Sequence, residues 1–128
     1  MKLRILQVED DPDILEISRV ALELVGGHEV FQFAEGREAI RNAAEIAPDV
    51  ILLDVMMPGM TGEETLAGLR KVRDCETTPA FFMTARATSG DHDELMHRGV
   101  LGVLHKPFDP MTLSEQIAGA LRDGRGRG

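Results

Sequence analysis

The stretch Val50-Ile51-Leu52-Leu53-Asp54-Val55-Met56-Met57-Pro58-Gly59 decides how the chain folds. Val50 to Leu53 are all branched and apolar, with Pro48 before them and Pro58-Gly59 after. Such a run predicts a strand buried on both faces, hence one central in a parallel sheet. It closes on a carboxylate. In open α/β sheets the ligand crevice lies beyond the carboxyl ends of the strands, so Asp54 is placed to project into a site. A turn-capping aspartate would look the same in isolation, because Asp commonly hydrogen-bonds its own local backbone. The other strand ends distinguish the two.

Working outward toward the N-terminus, Leu3, Ile5, Leu6 and Val8 form a first strand that runs into Glu9, Asp10 and Asp11. Pro12 suits the first helical position with Asp11 as N-cap, and Ile14, Ile17, Ala21 and Leu24 carry the helical apolar pattern until Gly26-Gly27 stops it. His28 to Phe33 reads as a second strand and Arg37 to Ala47 as a second helix closed by Pro48. Toward the C-terminus, Thr61 to Val72 reads as a third helix through Leu66, Leu69 and Val72. Ala80 to Met83 is a fourth strand ending in Thr84-Ala85. Gly90 to Arg98 has only Leu95 and Met96 as inward residues and is expected to be the least stable helix. Gly102 to His105 makes a fifth strand leading to Lys106-Pro107, and Met111 to Arg122, with Leu113, Ile117 and Leu121, a fifth helix. Residues 1–122 therefore read as one domain, with Asp123 to Gly128 as a flexible tail or the start of a linker.

Strands alternating with helices need crossover connections of a single hand. The chain is accordingly read as α/β, a doubly wound five-stranded parallel sheet with five helices on two faces. Its strand ends then face one crevice, which gathers Glu9, Asp10 and Asp11, Asp54, Thr84 and Lys106. Each has an ordinary explanation alone; their shared place at carboxyl ends favours a site.

Composition excludes several function classes. The 128 residues, 43% of them hydrophobic, suit one core. A net charge of -8 argues against direct nucleic-acid binding, which needs clustered Lys and Arg. Cys75 has no partner for a disulfide, and no apolar run nears the roughly 20 residues that span a bilayer. These features predict a cytoplasmic protein that does not bind membranes. His28, His92, His97 and His105 are scattered and read as solvated or partly buried rather than as ligands. The seven methionines read as gap fillers.

Clustered acids repel one another unless a cation is present, and carboxylate and carbonyl oxygens suit Mg²⁺. Asp10 and Asp54 can supply carboxylates, Glu9 can orient a bound water, and the backbone carbonyl of Met56 can add a neutral ligand. A carboxylate can also attack phosphorus to give an aspartyl phosphate. Lys106 and Thr84 would then steady the phosphoryl oxygens. No glycine-rich phosphate loop or Ser-His-Asp set is evident, and Met56 stands where aspartyl-phosphate hydrolases want an acid.

The set Glu9-Asp10-Asp11-Pro12, Leu53-Asp54-Val55-Met56-Met57-Pro58-Gly59-Met60-Thr61-Gly62, Thr84-Ala85 and Lys106-Pro107-Phe108 resembles the receiver domain of two-component response regulators, over roughly residues 3 to 122. The resemblance implies a flavodoxin-like fold and a cis peptide between Lys106 and Pro107. It implies Asp54 as phosphoacceptor, Glu9, Asp10, Asp54 and the Met56 carbonyl around Mg²⁺, Thr84 as the switch hydroxyl and Lys106 as the phosphate-binding ammonium. The implied donor is a phosphohistidine on a sensor histidine kinase or histidine phosphotransfer protein, and the implied readout is a downstream protein target, with a dimer left open. Such a domain catalyses only its own phosphorylation and dephosphorylation. A Mg²⁺-dependent phosphatase or phosphotransferase and a plain interaction module are the competing readings. Two departures stand out: Val103 replaces the family's usual switch aromatic, and Arg86 is placed to overhang a phosphoryl group and slow attack by water.

Overall fold

β3 (Val50–Asp54) is buried at every position, as expected of a strand with sheet on both sides and helices on both faces. The computed structural model describes residues 2–85, 89–96 and 99–126. Around β3 stand β1 (Arg4–Val8), β2 (Glu29–Phe33), β4 (Ala80–Thr84) and β5 (Gly102–His105) in the order β2-β1-β3-β4-β5, every pairing parallel. The helices are α1 (Pro12–Arg19), which runs straight into a π-helical segment (Val20–Val25), α2 (Gly36–Ile46), α3 (Gly62–Leu69), α4 (Ser89–Met96) and α5 (Leu113–Gly126). The doubly wound α/β architecture expected from the sequence is the one observed.

Alternate residues of the strands feed two apolar cores. Leu6, Val8, Ile51, Leu53 and Phe82 meet α2, α3 and α4 through Ala39, Ala43, Leu66, Leu69 and Leu95. Leu3, Ile5, Val50, Leu52, Phe81 and Met83 meet the π-helical segment and α5 through Ala21, Leu22, Leu113, Ile117 and Leu121. Burying each Val, Leu, Ile, Phe or Met among them stabilises the fold by about 1.5–3 kcal/mol, which is why the apolar runs rather than the loops set the architecture.

Local signals fix the helix ends. The Asp11 carboxylate accepts from the Asp13 backbone N–H with Pro12 at the first helical turn. Thr61 and Glu64 form a capping box, each side chain accepting from the other's backbone N–H at 3.1 and 3.0 Å. Ala47, with φ 51, closes α2 in the left-handed region just before Pro48. The Lys106–Pro107 peptide is cis.

Several expectations are revised. α3 stops at Leu69 rather than Val72, because the Arg70 guanidinium donates to the carbonyls of Cys75 (3.0 Å) and Thr78 (2.6 Å) and holds the chain in a turn. α5 stays helical to Gly126, past Arg122. In α4, Leu95 is buried but Met96 is exposed. The first helix turns a different face inward: Ser18, Ala21 and Leu22 are buried, whereas Ile17 and Leu24 point to solvent.

His28, expected to be solvated or partly buried, lies among buried residues with both ring nitrogens engaged. Nδ1 accepts from the Leu3 N–H at 3.1 Å, which leaves Nε2 to carry the proton and donate to Ser114 Oγ at 2.9 Å. Protonating Nδ1 would set one N–H against another, and burial lowers the pKa below 6.5. A depressed histidine contributes stability that is present above its unfolded pKa and is lost as pH falls through the folded one. His28→Gln should therefore lose roughly 1–3 kcal/mol at neutral pH and show a smaller loss at about pH 5. Urea unfolding of both chains measures this; a gap that does not narrow on acidification would refute it.

Candidate functional site

The site lies at the carboxyl rim where β1 and β3 diverge to opposite halves of the sheet, the switch point at which such folds bind ligands. Backbone ladders run on past the strands and draw their ends together: Glu9 N–H donates to the Phe33 carbonyl (3.0 Å), Val55 to Met83 (3.1 Å) and Lys106 to Thr84 (2.9 Å). The result is a cavity of about 410 Å³ lined by Glu9, Asp10, Asp11, Asp54, Met56, Thr84 and Lys106, with Ile14 and Ala85. Glu9, Asp10, Asp54, Met56, Thr84 and Lys106, nominated from the sequence for metal or phosphoryl chemistry, are all in that lining. Ile14 was expected in the helical seam; it sits at the cavity wall instead.

Lys106 is the hub. Its Nζ donates to Glu9 Oε1 at 2.5 Å and to Asp54 Oδ1 at 2.8 Å, with its side chain only 14% exposed. Burial alone would lower the ammonium's pKa, but the bonds to Asp54 and Glu9 outweigh it and raise the value above 10.5. Burial pushes Glu9 up to about 7, with Asp54 adding to the rise and Lys106 only partly opposing it. The second Glu9 oxygen accepts from the Asp11 N–H at 3.3 Å.

Carboxylate oxygens of Glu9, Asp10 and Asp54 lie within 4.8 Å of one another. Glu9 and Asp54 are buried, and Asp10 is exposed to solvent. An all-oxygen set of this density is hard-donor chemistry, fitting a divalent cation that keeps several waters and takes one or two carboxylates. Thr84 is buried beside the acids and Met56 is exposed at the rim.

Gly62 was quoted in the motif without a role. A Cβ there would run into the backbone carbonyl of Asp54. The start of α3 therefore packs directly against the aspartate's main chain, and only glycine permits it. Arg86 and His97 lie outside the described residues.

A doubly wound sheet with clustered acids at its carboxyl rim fits a receiver-type signalling domain. A family model of the response regulator receiver domain matches residues 5–118. The chain belongs to that family. It is 34% identical over 118 residues to the transcriptional regulatory protein KdpE of Mycobacterium tuberculosis, a stretch covering 92% of this chain and 50% of that one. The chain thus spans about half the length of the curated relatives it matches. Among solved structures it is similar to the chemotaxis protein CheY4 of Vibrio cholerae, with a TM-score of 0.85 and 32% identity over 94% of this chain and 99% of that one. It is similar also to a CheY-like receiver domain protein of Methanospirillum hungatei, with a TM-score of 0.82 and 27% identity over the whole of both. Receiver domains of this family interact with histidine kinases and downstream targets. No helix among the described residues is long and apolar enough to cross a membrane.

Proposed function

We propose that Asp54 is the phosphoacceptor of this receiver domain and that the phosphoryl group comes from a phosphohistidine. The observation that carries the reading is the Lys106 ammonium 2.8 Å from Asp54 Oδ1, beside Glu9, in an acid-lined cavity open to solvent. A carboxylate oxygen of Asp54 attacks phosphorus as the P–N bond breaks, and the departing imidazole keeps the bonding pair and takes up a proton. Lys106 follows the negative charge from the carboxylate to the new phosphoryl oxygens, and the Thr84 hydroxyl donates to one of them. Asp10, Asp54 and the Met56 carbonyl would hold Mg²⁺, with Glu9 next to them; bound there, the ion neutralises charge on the phosphoryl oxygens. Met56 offers no acid to activate water, which agrees with a chain that turns over only its own aspartyl phosphate.

Docking of the donor is supported by an apolar hollow of about 290 Å³ that adjoins the acid cavity and is lined by Ile14, Ile17, Ala85, Lys106, Pro107 and Phe108. Ile14, Ala85 and Lys106 border both spaces, so a donor side chain seated in the hollow is already beside Asp54.

Incubation with acetyl phosphate and Mg²⁺ should give one acid-resistant, base-labile adduct per chain. Steady phosphate release would instead favour a phosphatase, and no adduct an interaction module with a degenerate site. Removing divalent cations with EDTA should slow uptake by about 10²-fold or more, given the several kcal/mol such ions contribute to phosphoryl transfer. An unchanged rate would remove the cation from the reading.

Readout falls on the face of α4, β5 and α5, toward a downstream protein in the cytoplasm. Val103 on β5 is partly buried against the core that also contains Leu95 of α4. A small aliphatic there buries little area on swinging inward, so coupling from Thr84 runs through helix repacking. Amide exchange should change on phosphorylation mainly in α4 and β5; changes confined to α2 and β2 would reassign the face.

A further inference from the structure

α1 and the π-helical segment that continues it carry two apolar stripes, and the structure buries the less apolar one. Ser18 is fully buried together with Ala21 and Leu22, whereas Ile17 is 45% and Leu24 81% exposed. Turning the helix by one residue, about 100°, would carry Ile17 into the place of Ser18 and Ile14 into that of Leu15. Hydrophobic burial alone favours that turn.

A hydrogen-bonded set on the sheet opposes it. Gln7 on β1 and Gln32 on β2 are register partners on the same face. Gln7 Nε2 donates to Ser18 Oγ at 2.9 Å and approaches the Met83 sulfur at 3.9 Å. Gln32 Nε2 donates to Gln7 Oε1 at 2.8 Å and to the Leu15 carbonyl of α1 at 2.7 Å. Gln7 has no exposed surface. In the turned helix its amide would face Ile17 with no partner on that side, and a buried polar group left unpaired costs more than a made hydrogen bond gives.

We propose that Gln7, Ser18 and Gln32 form a register lock, positioning residues that keep α1 in the one rotation presenting Ile14 and Ile17 to the phosphodonor; this rests on the docking reading above. Choosing one register over a more apolar alternative is the best-attested use of a buried polar group. The lock need not add stability, since apolar replacements of similar volume would pack against the turned helix instead. Its effect lies in which stripe faces out.

The test is hydroxyl-radical footprinting, read residue by residue by mass spectrometry, on the native chain and on the Gln7→Leu, Gln32→Leu, Ser18→Ala triple variant. In the native chain Ile17, Val20 and Leu24 should be modified and Leu22 protected. In the triple variant Ile17 modification should fall by roughly tenfold, as expected when the turned register, favoured by burial once the amides are gone, outnumbers the native one about ten to one. Uptake from acetyl phosphate, which needs no docking, should persist in both. Ile17 modified as before in a variant that retains native far-UV circular dichroism overturns the lock. If the triple variant fails to fold, Gln7→Leu alone, which removes the buried amide that opposes Ile17, decides the matter: Ile17 must lose reactivity there, and an unchanged footprint overturns the proposal. Loss of acetyl phosphate uptake in the native chain would instead strike the phosphoacceptor reading and leave the footprint result standing.

Discussion

Asp54→Asn takes up no phosphoryl group from acetyl phosphate. The substitution keeps the shape of the side chain and a carbonyl oxygen for Lys106, whose Nζ also retains Glu9. It removes the anionic oxygen that attacks phosphorus. Uptake should fall at least about a thousandfold, in keeping with the losses seen when a covalent nucleophile is deleted. Because the buried pair of Glu9 and Lys106 survives, far-UV circular dichroism should match the native chain. Labelling at the native rate would mean that another group accepts phosphorus.

Lys106→Met has the largest expected effect on stability and also lowers uptake. The replacement keeps the stem but leaves Glu9, 1% exposed, and Asp54, 5% exposed, facing each other with no ammonium between them. Breaking a buried ion pair from one side costs about 3–5 kcal/mol when the remaining charge has to stay. Here the remaining charge has an outlet, because burial already lifts Glu9 to about 7 from 4.5. A raised carboxyl lends stability that is full below its unfolded pKa and is lost as pH rises through the folded one. Without Lys106, which lowers Glu9 in the native chain, that loss extends to higher pH. Urea unfolding should show the variant several kcal/mol weaker than the native chain near pH 8 and much closer to it near pH 5. A deficit equal at both pH values would contradict the assignment. Uptake should drop by about 10²-fold, the loss expected when one charge-stabilising group is removed.

How much of this was legible beforehand follows from what each residue's partner is. β3 could be read because a strand buried on both faces is apolar throughout, and prolines bounded it. β5, a partly buried edge strand, could be read to the residue because Gly102 opens its short apolar run and Lys106-Pro107 closes it. The site followed once the strands were known, since Glu9, Asp10, Asp54, Thr84 and Lys106 occupy strand ends and parallel topology brings those ends to one rim. Gly62 was legible only as part of a motif; the close approach to the Asp54 carbonyl that requires it is a tertiary fact.

The face of α1 was not legible, because the helix is apolar on two stripes and periodicity cannot rank them. The decision belongs to Gln7 and Gln32, polar residues in strand positions where the pattern gives no sign that their amides pair with Ser18 and Leu15. His28 was missed similarly: its partners, Leu3 and Ser114, lie 25 and 86 residues away in sequence. Arg70 ended α3 through carbonyls beyond the helix that no local propensity encodes. In each case a side chain found its hydrogen-bond partner outside its own helix or strand, where local periodicity does not reach.

The most direct measurement of the central claim is to trap the phosphorylated native chain with borohydride, which reduces an aspartyl phosphate, and to locate the reduced residue by peptide mass spectrometry. The account predicts a single reduced position, Asp54, that is absent when acetyl phosphate is withheld. Reduction at Glu9, Asp10 or any other carboxylate, or at none, would contradict it.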